Sequence, residues 1–253
     1  MTLVGGSGSF DPTTVGSSTL KLYLSSLLVP DWWTDMHQVG QWDDYSGNNN
    51  HATQANVGMK PTYVRSAFNS RPAMLFAGSH GLRVDSLAAS FTGSDLPGTM
   101  ICCLQIINGT TAFQASYIDI DRDSASGPRF NLGFDGTPAH RFRRSDDTAT
   151  GKNVSTATPI VVGSPLIITG VYDGTLGNMY LNGAQLGTAN QNIDVGTMTL
   201  DVASIGHRRS NGAHSQWFEG YLAVALVYAS ALSTADRQYC ERKLGQVFGI
   251  SVA

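Results

Sequence analysis

The chain has 253 residues, 16 basic and 19 acidic side chains, a net charge of −3 and a charged content of only 14%. There is no basic stripe of the kind nucleic acid requires, and no run approaches the ~18 apolar residues of a membrane-crossing helix, so neither nucleic acid nor a membrane is expected as a partner. The 28 glycines, with abundant Ser, Thr and Asn, favour many short strands joined by turns, and the length suits one large all-β domain.

Residues 1–18 are rich in Gly, Ser and Thr and read as an N-terminal arm or linker ahead of a domain over 19–253. The first residues lack the basic and apolar regions of a signal peptide. Residues 20–24 alternate as a first strand. An aromatic loop, Pro30-Asp31-Trp32-Trp33, follows. Neighbouring rings cannot share one strand face, so one of Trp32 and Trp33 is expected at a contact surface. The stretch Trp42-Asp43-Asp44-Tyr45-Ser46-Gly47-Asn48-Asn49-Asn50-His51-Ala52 is dense in turn formers. Asp44 and Ser46 can accept from N–H groups two residues on, and Gly47 and the Asn run tolerate positive φ. We expect a structured loop pinned by a buried Trp42, with His51 in a structural role.

Residues 60–64 are expected at a sheet edge, because Pro61 cannot donate to a ladder. Residues 70–78 and 81–84 read as two strands around a turn. Residues 100–107 form an apolar run expected to be buried on both faces. Cys102 and Cys103 then point to opposite faces, and with Cys240 they read as free buried thiols. Residues 115–123, 129–134 and 140–144 alternate. Arg141, Arg143 and Arg144 are answered at once by Asp146 and Asp147, which reads as a solvated loop and not an anion site. Residues 165–172 form a core strand. Asn182-Gly183 between alternating runs predicts a type I′ hairpin. Residues 199–205 and 218–228 complete the strands, the last of them central. Ser233-Thr234-Ala235-Asp236 opens the one helix as a capping box and Gly249 closes it. Many short strands and one terminal helix predict two stacked antiparallel sheets.

Five motifs occur in order. Trp42-x-Asp44-x-Ser46-Gly47-Asn48-x-x-His51-Ala52 comes first, then Arg71-Pro72-Ala73-Met74-Leu75-Phe76-Ala77-Gly78. Gly170-Val171-Tyr172-Asp173-Gly174 with Met179-Tyr180-Leu181-Asn182-Gly183 is third, and Ile205-Gly206 with Phe218-Glu219-Gly220-Tyr221-Leu222-Ala223 fourth. Leu232-Ser233-x-Ala235-Asp236-Arg237 is last. Together they resemble the LamG-like, concanavalin A-like jelly-roll family of bacteria and phages. Ala77 and Val224 stand where that family usually has acids. The resemblance implies an all-β, two-sheet antiparallel jelly-roll sandwich with one short C-terminal helix. It leaves activity open.

Asp119, Asp121 and Asp123 alternate on a strand and would share one face. This resembles the acidic signature of jelly-roll β-glucanases, which carries Glu at the outer positions; here all three are Asp, and Glu occurs only twice in the chain, at 219 and 241. The bland reading is a solvated face. Hard oxygen ligands also suit Ca²⁺, so the three are candidate metal ligands, although no cofactor is required. A second candidate surface joins Trp32 and Trp33 with His207, Arg208, Asn211 and Trp217, since aromatic faces and planar donors suit sugars. The expected function is a non-enzymatic virion surface protein: a capsid decoration, head fibre or tail component. It is made in the cytoplasm, contacts other virion proteins and copies of itself, and takes a host glycan as ligand. The alternatives are a free carbohydrate-binding module and a glycosidase acting through Asp119, Asp121 and Asp123.

Overall fold

The computed structural model describes residues 10–15, 19–109, 114–136 and 139–253. Among them, two antiparallel sheets form a sandwich. The larger runs in the order Ala184–Asn192, Leu176–Leu181, Pro165–Tyr172, Gly98–Ile106, Glu219–Tyr228, Arg71–Ala77, Thr62–Phe68 and His37–Gln38, with Leu20–Ser25 also paired to Glu219–Tyr228. The second has eight strands: Gly151–Pro159, Ala139–Ser145, Arg129–Phe134, Ala115–Asp121, Val202–Ile205, Leu82–Arg83, Ala52–Thr53 and Gln41–Trp42. This is the all-β jelly roll expected from the sequence.

Strand alternation sorts the side chains. Met100, Cys102 and Leu104 enter the core between the sheets, while Ile101 and Cys103 enter a second core beneath the helix. The run is thus buried on both faces, and its neighbouring thiols diverge as a period of two requires. All three cysteines are buried and free. The helix, Thr234–Phe248, begins at Ser233, whose Oγ accepts from the Asp236 N–H at 3.1 Å, and ends at Gly249 with φ +68°. Cys240, Leu244, Val247 and Phe248 seal it onto the larger sheet. Asn182 (φ +48°) and Gly183 (φ +84°) make the expected hairpin turn.

Residues of the expected arm join this second core. Phe10 and Val15 are buried there, and Phe10 meets Tyr23 edge-on at 6.3 Å. Residues 1–9 and 16–18 lie outside the described residues. Two expectations need correction. Thr62 and Tyr63 are not at the edge, because the two-residue strand His37–Gln38 pairs with them, whereas among the described residues the strand beyond them has no further partner strand on that side; Pro61 precedes the ladder and only accepts, from the Val39 N–H at 2.8 Å. Gly151–Pro159 is an edge strand that the sequence reading left out, since Val154 is its one buried side chain.

The loop after Trp42 is held by one carboxylate. Asp44 Oδ1 accepts from the Tyr23 and Ser46 N–H groups at 2.8 and 2.9 Å, and Oδ2 from the Asn50 N–H at 2.9 Å. His51 Nδ1 accepts from the Asp44 N–H at 3.1 Å. Trp42 is fully buried beside them. Asp44→Ala would strand three amide donors, two of them buried, and is expected to cost about 2–3 kcal/mol in urea unfolding. Asp44→Asn keeps one acceptor oxygen and should recover about half of that loss. An alanine variant as stable as the wild type would show that the loop does not depend on this carboxylate.

Candidate functional site

The outer face of the eight-stranded sheet carries a continuous polar row. Residue pairing across all eight strands joins Gln41, Thr53, Arg83, Ser204, Asp119, Asn131, Arg143 and Asn153 in one register line. Their chain neighbours Trp42, Ala52, Leu82, Ile205, Phe130, Phe142 and Val154 point the other way, into the core. Both facts follow from the period of two: one face is apolar enough to be buried, the other carries this polar row.

At the centre of the row the charges are paired and closed off from water. Asp119 and Arg129 are each 1% exposed. Arg129 donates through Nε to both Asp119 oxygens, at 3.1 and 3.0 Å, and through Nη2 to the same carboxylate. Ser116 Oγ and Asn131 Nδ2 also donate to it, at 2.7 and 3.2 Å. A hairpin formed by Arg208–Ser210 and Ala213–Ser215 folds over the next part of the face, turning at Asn211 (φ +52°) and Gly212 (φ +74°). Its Arg208 Nε donates to Asp121 at 2.6 Å, and its Arg209 Nε to Asp123 at 2.8 Å. Burial, reinforced by Asp119, still pushes the Asp121 carboxyl up to about 6 against the pull of Arg208.

Behind the hairpin three rings stack. His207 lies 4.9 Å from Trp217, and His214 lies 5.6 Å from the same ring. Gly81 makes room for this, since a Cβ there would sit 2.0 Å from His207 Nδ1. Arg209 Nη1 donates to His214 Nε2 at 2.8 Å, which leaves the ring proton of His214 on Nδ1, where it has no partner.

Beside the hairpin the face opens into a cleft of about 440 Å³, lined by Gln54, Asn56, Met59, Arg83, Asp85 and His214. Its groups are fixed before any ligand arrives. Arg83 holds Asp85 through two bonds, Nε to Oδ1 at 3.1 Å and Nη2 to Oδ2 at 2.6 Å. Gln54 donates to the Gly81 carbonyl at 2.8 Å and accepts from the Asn56 N–H at 3.0 Å. Planar amides, a forked guanidinium–carboxylate pair and an imidazole beside an aromatic stack can order hydroxyl groups. Asp85 in the cleft wall and Asp123 in the hairpin contact are each held by an arginine.

A sequence profile of the concanavalin A-like lectin/glucanase superfamily matches residues 97–236. The chain belongs to that superfamily. No curated protein matches it. Among solved structures, this superfamily member is similar to domain 4 of the arabinanase AbnA from Geobacillus stearothermophilus, in complex with arabinotriose: 14% identity, TM-score 0.59, 89% of this chain and 98% of that one. It is also similar to the CBM40 domain of the Ruminococcus gnavus IT-sialidase bound to α2,3-sialyllactose (13%, 0.56, 65% and 93%). The Trypanosoma rangeli sialidase gives 14% and 0.61 over 93% of this chain but only 34% of its own. At such identities the likeness is one of fold.

The superfamily domain sorts the residues singled out from sequence. Trp32 is 69% exposed, whereas Trp33 is buried and stacked on His37 at 4.8 Å; the pair splits as neighbouring rings must. His207 is buried in the ring stack, Trp217 is half-buried beneath it, Arg208 is committed to Asp121, and Asn211 is a turn residue. Asp119 and Asp121 do share a face, but the strand ends at Asp121 and Asp123 leaves it. These three do not fit Ca²⁺. Each carboxylate is already taken by a guanidinium, and among the described residues no group of three or more acids, histidines or cysteines has metal-holding geometry. Nor do Arg141, Arg143 and Arg144 lie in a solvated loop. They sit on strand Ala139–Ser145; Arg144 faces inward to Asp95 at 2.7 Å, and Asp146 and Asp147 bind the Thr148 and Thr199 amides instead.

Gln54, Asn56, Arg83 and Asp85 carry no motif along the chain. They belong to separate short segments that only sheet pairing brings together. One signal was present: Asn211-Gly212 is the same turn dipeptide that located the hairpin at 182–183, here flanked by polar residues.

Proposed function

We propose that this domain is a non-enzymatic glycan-binding module whose ligand seats in the cleft beside the Arg208–Ser215 hairpin. The observation that carries this reading is the cleft itself, where amide, guanidinium and imidazole groups from separate segments are held in place by sheet pairing and by their own hydrogen bonds. The sugar-bound relatives of like fold lend it support. A glycan array tests it. The wild type should bind at least one saccharide, with Arg83→Gln and His214→Ala each weakening it about tenfold, while Trp32→Ala leaves affinity unchanged. A folded wild type that binds no neutral or acidic glycan would overturn the proposal. So would hydrolysis of β-glucans that is lost in Asp121→Asn, since the module would then be an enzyme.

A virion surface remains the proposed setting, with other virion proteins and further copies of this chain as partners. Three buried, unpaired thiols support folding in a reducing cytoplasm. Mass spectrometry of purified particles from the native source decides it: the chain should copurify, and its absence would sink this setting while leaving the glycan reading intact.

A further inference from the structure

Beyond the buried Asp119–Arg129 pair, the polar face holds two further guanidinium groups that among the described residues make no ion pair. Arg141 and Arg143 leave the same face of strand Ala139–Ser145, two residues apart. Arg141 is 7% exposed, and its Nε and Nη2 meet no hydrogen-bond partner. Next to them Arg129 Nη1 and Asn131 Oδ1 are also buried and unpartnered. The charges acting here are Arg129, Arg141, Arg143 and Arg208 against Asp119, Asp121 and Asp135. Asp119 is used by Arg129 and Asp121 by Arg208. Among the described residues neither Arg141 nor Arg143 has an ion pair.

Burial, with Arg129 and Arg143 close by, pushes the Arg141 guanidinium down to about 10. It is therefore still charged at neutral pH. A buried charge of this kind is ordinarily paired. Two guanidinium forks on one strand present planar donors suited to a carboxylate or sulfate. Access comes from the Arg143 side, which is half-buried and borders the exposed residues Asn153 and Ser155 of the edge strand. Gly151 keeps that side clear, since a Cβ there would lie 2.8 Å from Arg143 Nη2.

We infer that Arg141 and Arg143 form an oxyanion site, which on the glycan reading takes the carboxylate or sulfate group of an acidic sugar. Arg143 lies four strand spacings along the row from Arg83, about 19 Å, so one extended ligand can reach both the cleft and this site. Neither the match to the superfamily nor the Asp-centred reading of the sequence points to it.

Isothermal titration at fixed ionic strength tests the site with sodium sulfate, sodium glucuronate and glucose as probes. Wild type should bind at least one of the two anions saturably and leave glucose unbound at this site. The anion preferred separates a sulfate-type from a carboxylate-type ligand. Arg143→Gln should weaken anion binding about tenfold, and Trp32→Ala, on an exposed loop outside both sites, should leave it unchanged. Arg141→Gln should match Arg143→Gln; if that buried substitution disturbs folding, the half-exposed Arg143 carries the test alone. Equal anion binding by wild type and Arg143→Gln, or no saturable binding by the wild type, would overturn the inference without touching neutral-glycan binding in the cleft. Saturable anion binding with no glycan bound on the array would uphold the oxyanion site and refute the glycan reading.

Discussion

Acidification from about pH 7 to pH 4 is expected to remove roughly 4 kcal/mol of stability, and His140 and His207 are the cause. Both rings are buried. His140 has only the Tyr117 hydroxyl, 3.2 Å from Nδ1, and its Nε2 has no partner. His207 is clamped between Gly81 and the Trp217 ring, again with an orphan Nε2. Burial pushes each down to about 4 from 6.5, and at His207 the neighbouring His214 adds to the effect. An unfolded chain protonates these rings near 6.5, the folded chain only near 4. Between the two values the unfolded state holds more protons, so stability rises with pH. It is fully present above 6.5 and is lost as the pH falls through 4. At about 1.4 kcal/mol per pK unit, the two rings together account for roughly 7 kcal/mol. Asp121 works in the opposite sense. Its folded carboxyl sits near 6, above the ordinary 3.8, so the folded state gains about 3 kcal/mol as the pH drops through that window. Urea unfolding at several pH values measures the net loss. His140→Gln and His207→Gln should each flatten the profile, and an identical urea midpoint at pH 7 and pH 4 would refute this account.

Elements whose side chains alternate between core and solvent were legible in the sequence, because burial writes a period of two into the chain. Residues 100–107 could be recognised as doubly buried, since both of their faces are apolar. The Asp44 loop and the Asn182-Gly183 turn were equally legible, because each depends on short-range hydrogen bonds or positive φ that few residues tolerate. Gly151–Pro159 was not legible. An edge strand over solvent needs almost no apolar side chains, and Val154 alone carries no period.

The site was read less well, for a different physical reason. Asp119, Asp121 and Asp123 drew attention as three acids in alternation, but what they do depends on Arg129, Arg208 and Arg209, which arrive from two other strands. A carboxylate awaiting a cation and a carboxylate neutralised by arginine look alike along one strand. The same holds for Arg141 and Arg143. Their neighbours in sequence, Asp146 and Asp147, offered an answer to their charge, yet those acids turn to the amides of Thr148 and Thr199. Long-range pairing decides both cases, and it is invisible until the register is known.

Arg129→Met should cost about 3–5 kcal/mol, the penalty for leaving a buried charge without its partner. Asp119 is 1% exposed, and without Arg129 its carboxylate keeps only Ser116 and Asn131 as donors. It would then face Asp121 with Arg208 as the one cation in direct contact with either acid. Asp119→Leu alone should be about as damaging, because Arg129 would be the stranded charge. The double variant Arg129→Met/Asp119→Leu should return to within about 1–2 kcal/mol of wild type, since removing both charges also removes both desolvation penalties. A urea double-mutant cycle reads this as a large coupling energy; additive single-variant losses would mean that the pair is not what holds this part of the face. The cycle also separates the two roles considered for the acids. If Asp119 and Asp121 served a cation, millimolar Ca²⁺ would raise the melting temperature of the wild type, whereas carboxylates saturated by guanidinium leave it unmoved.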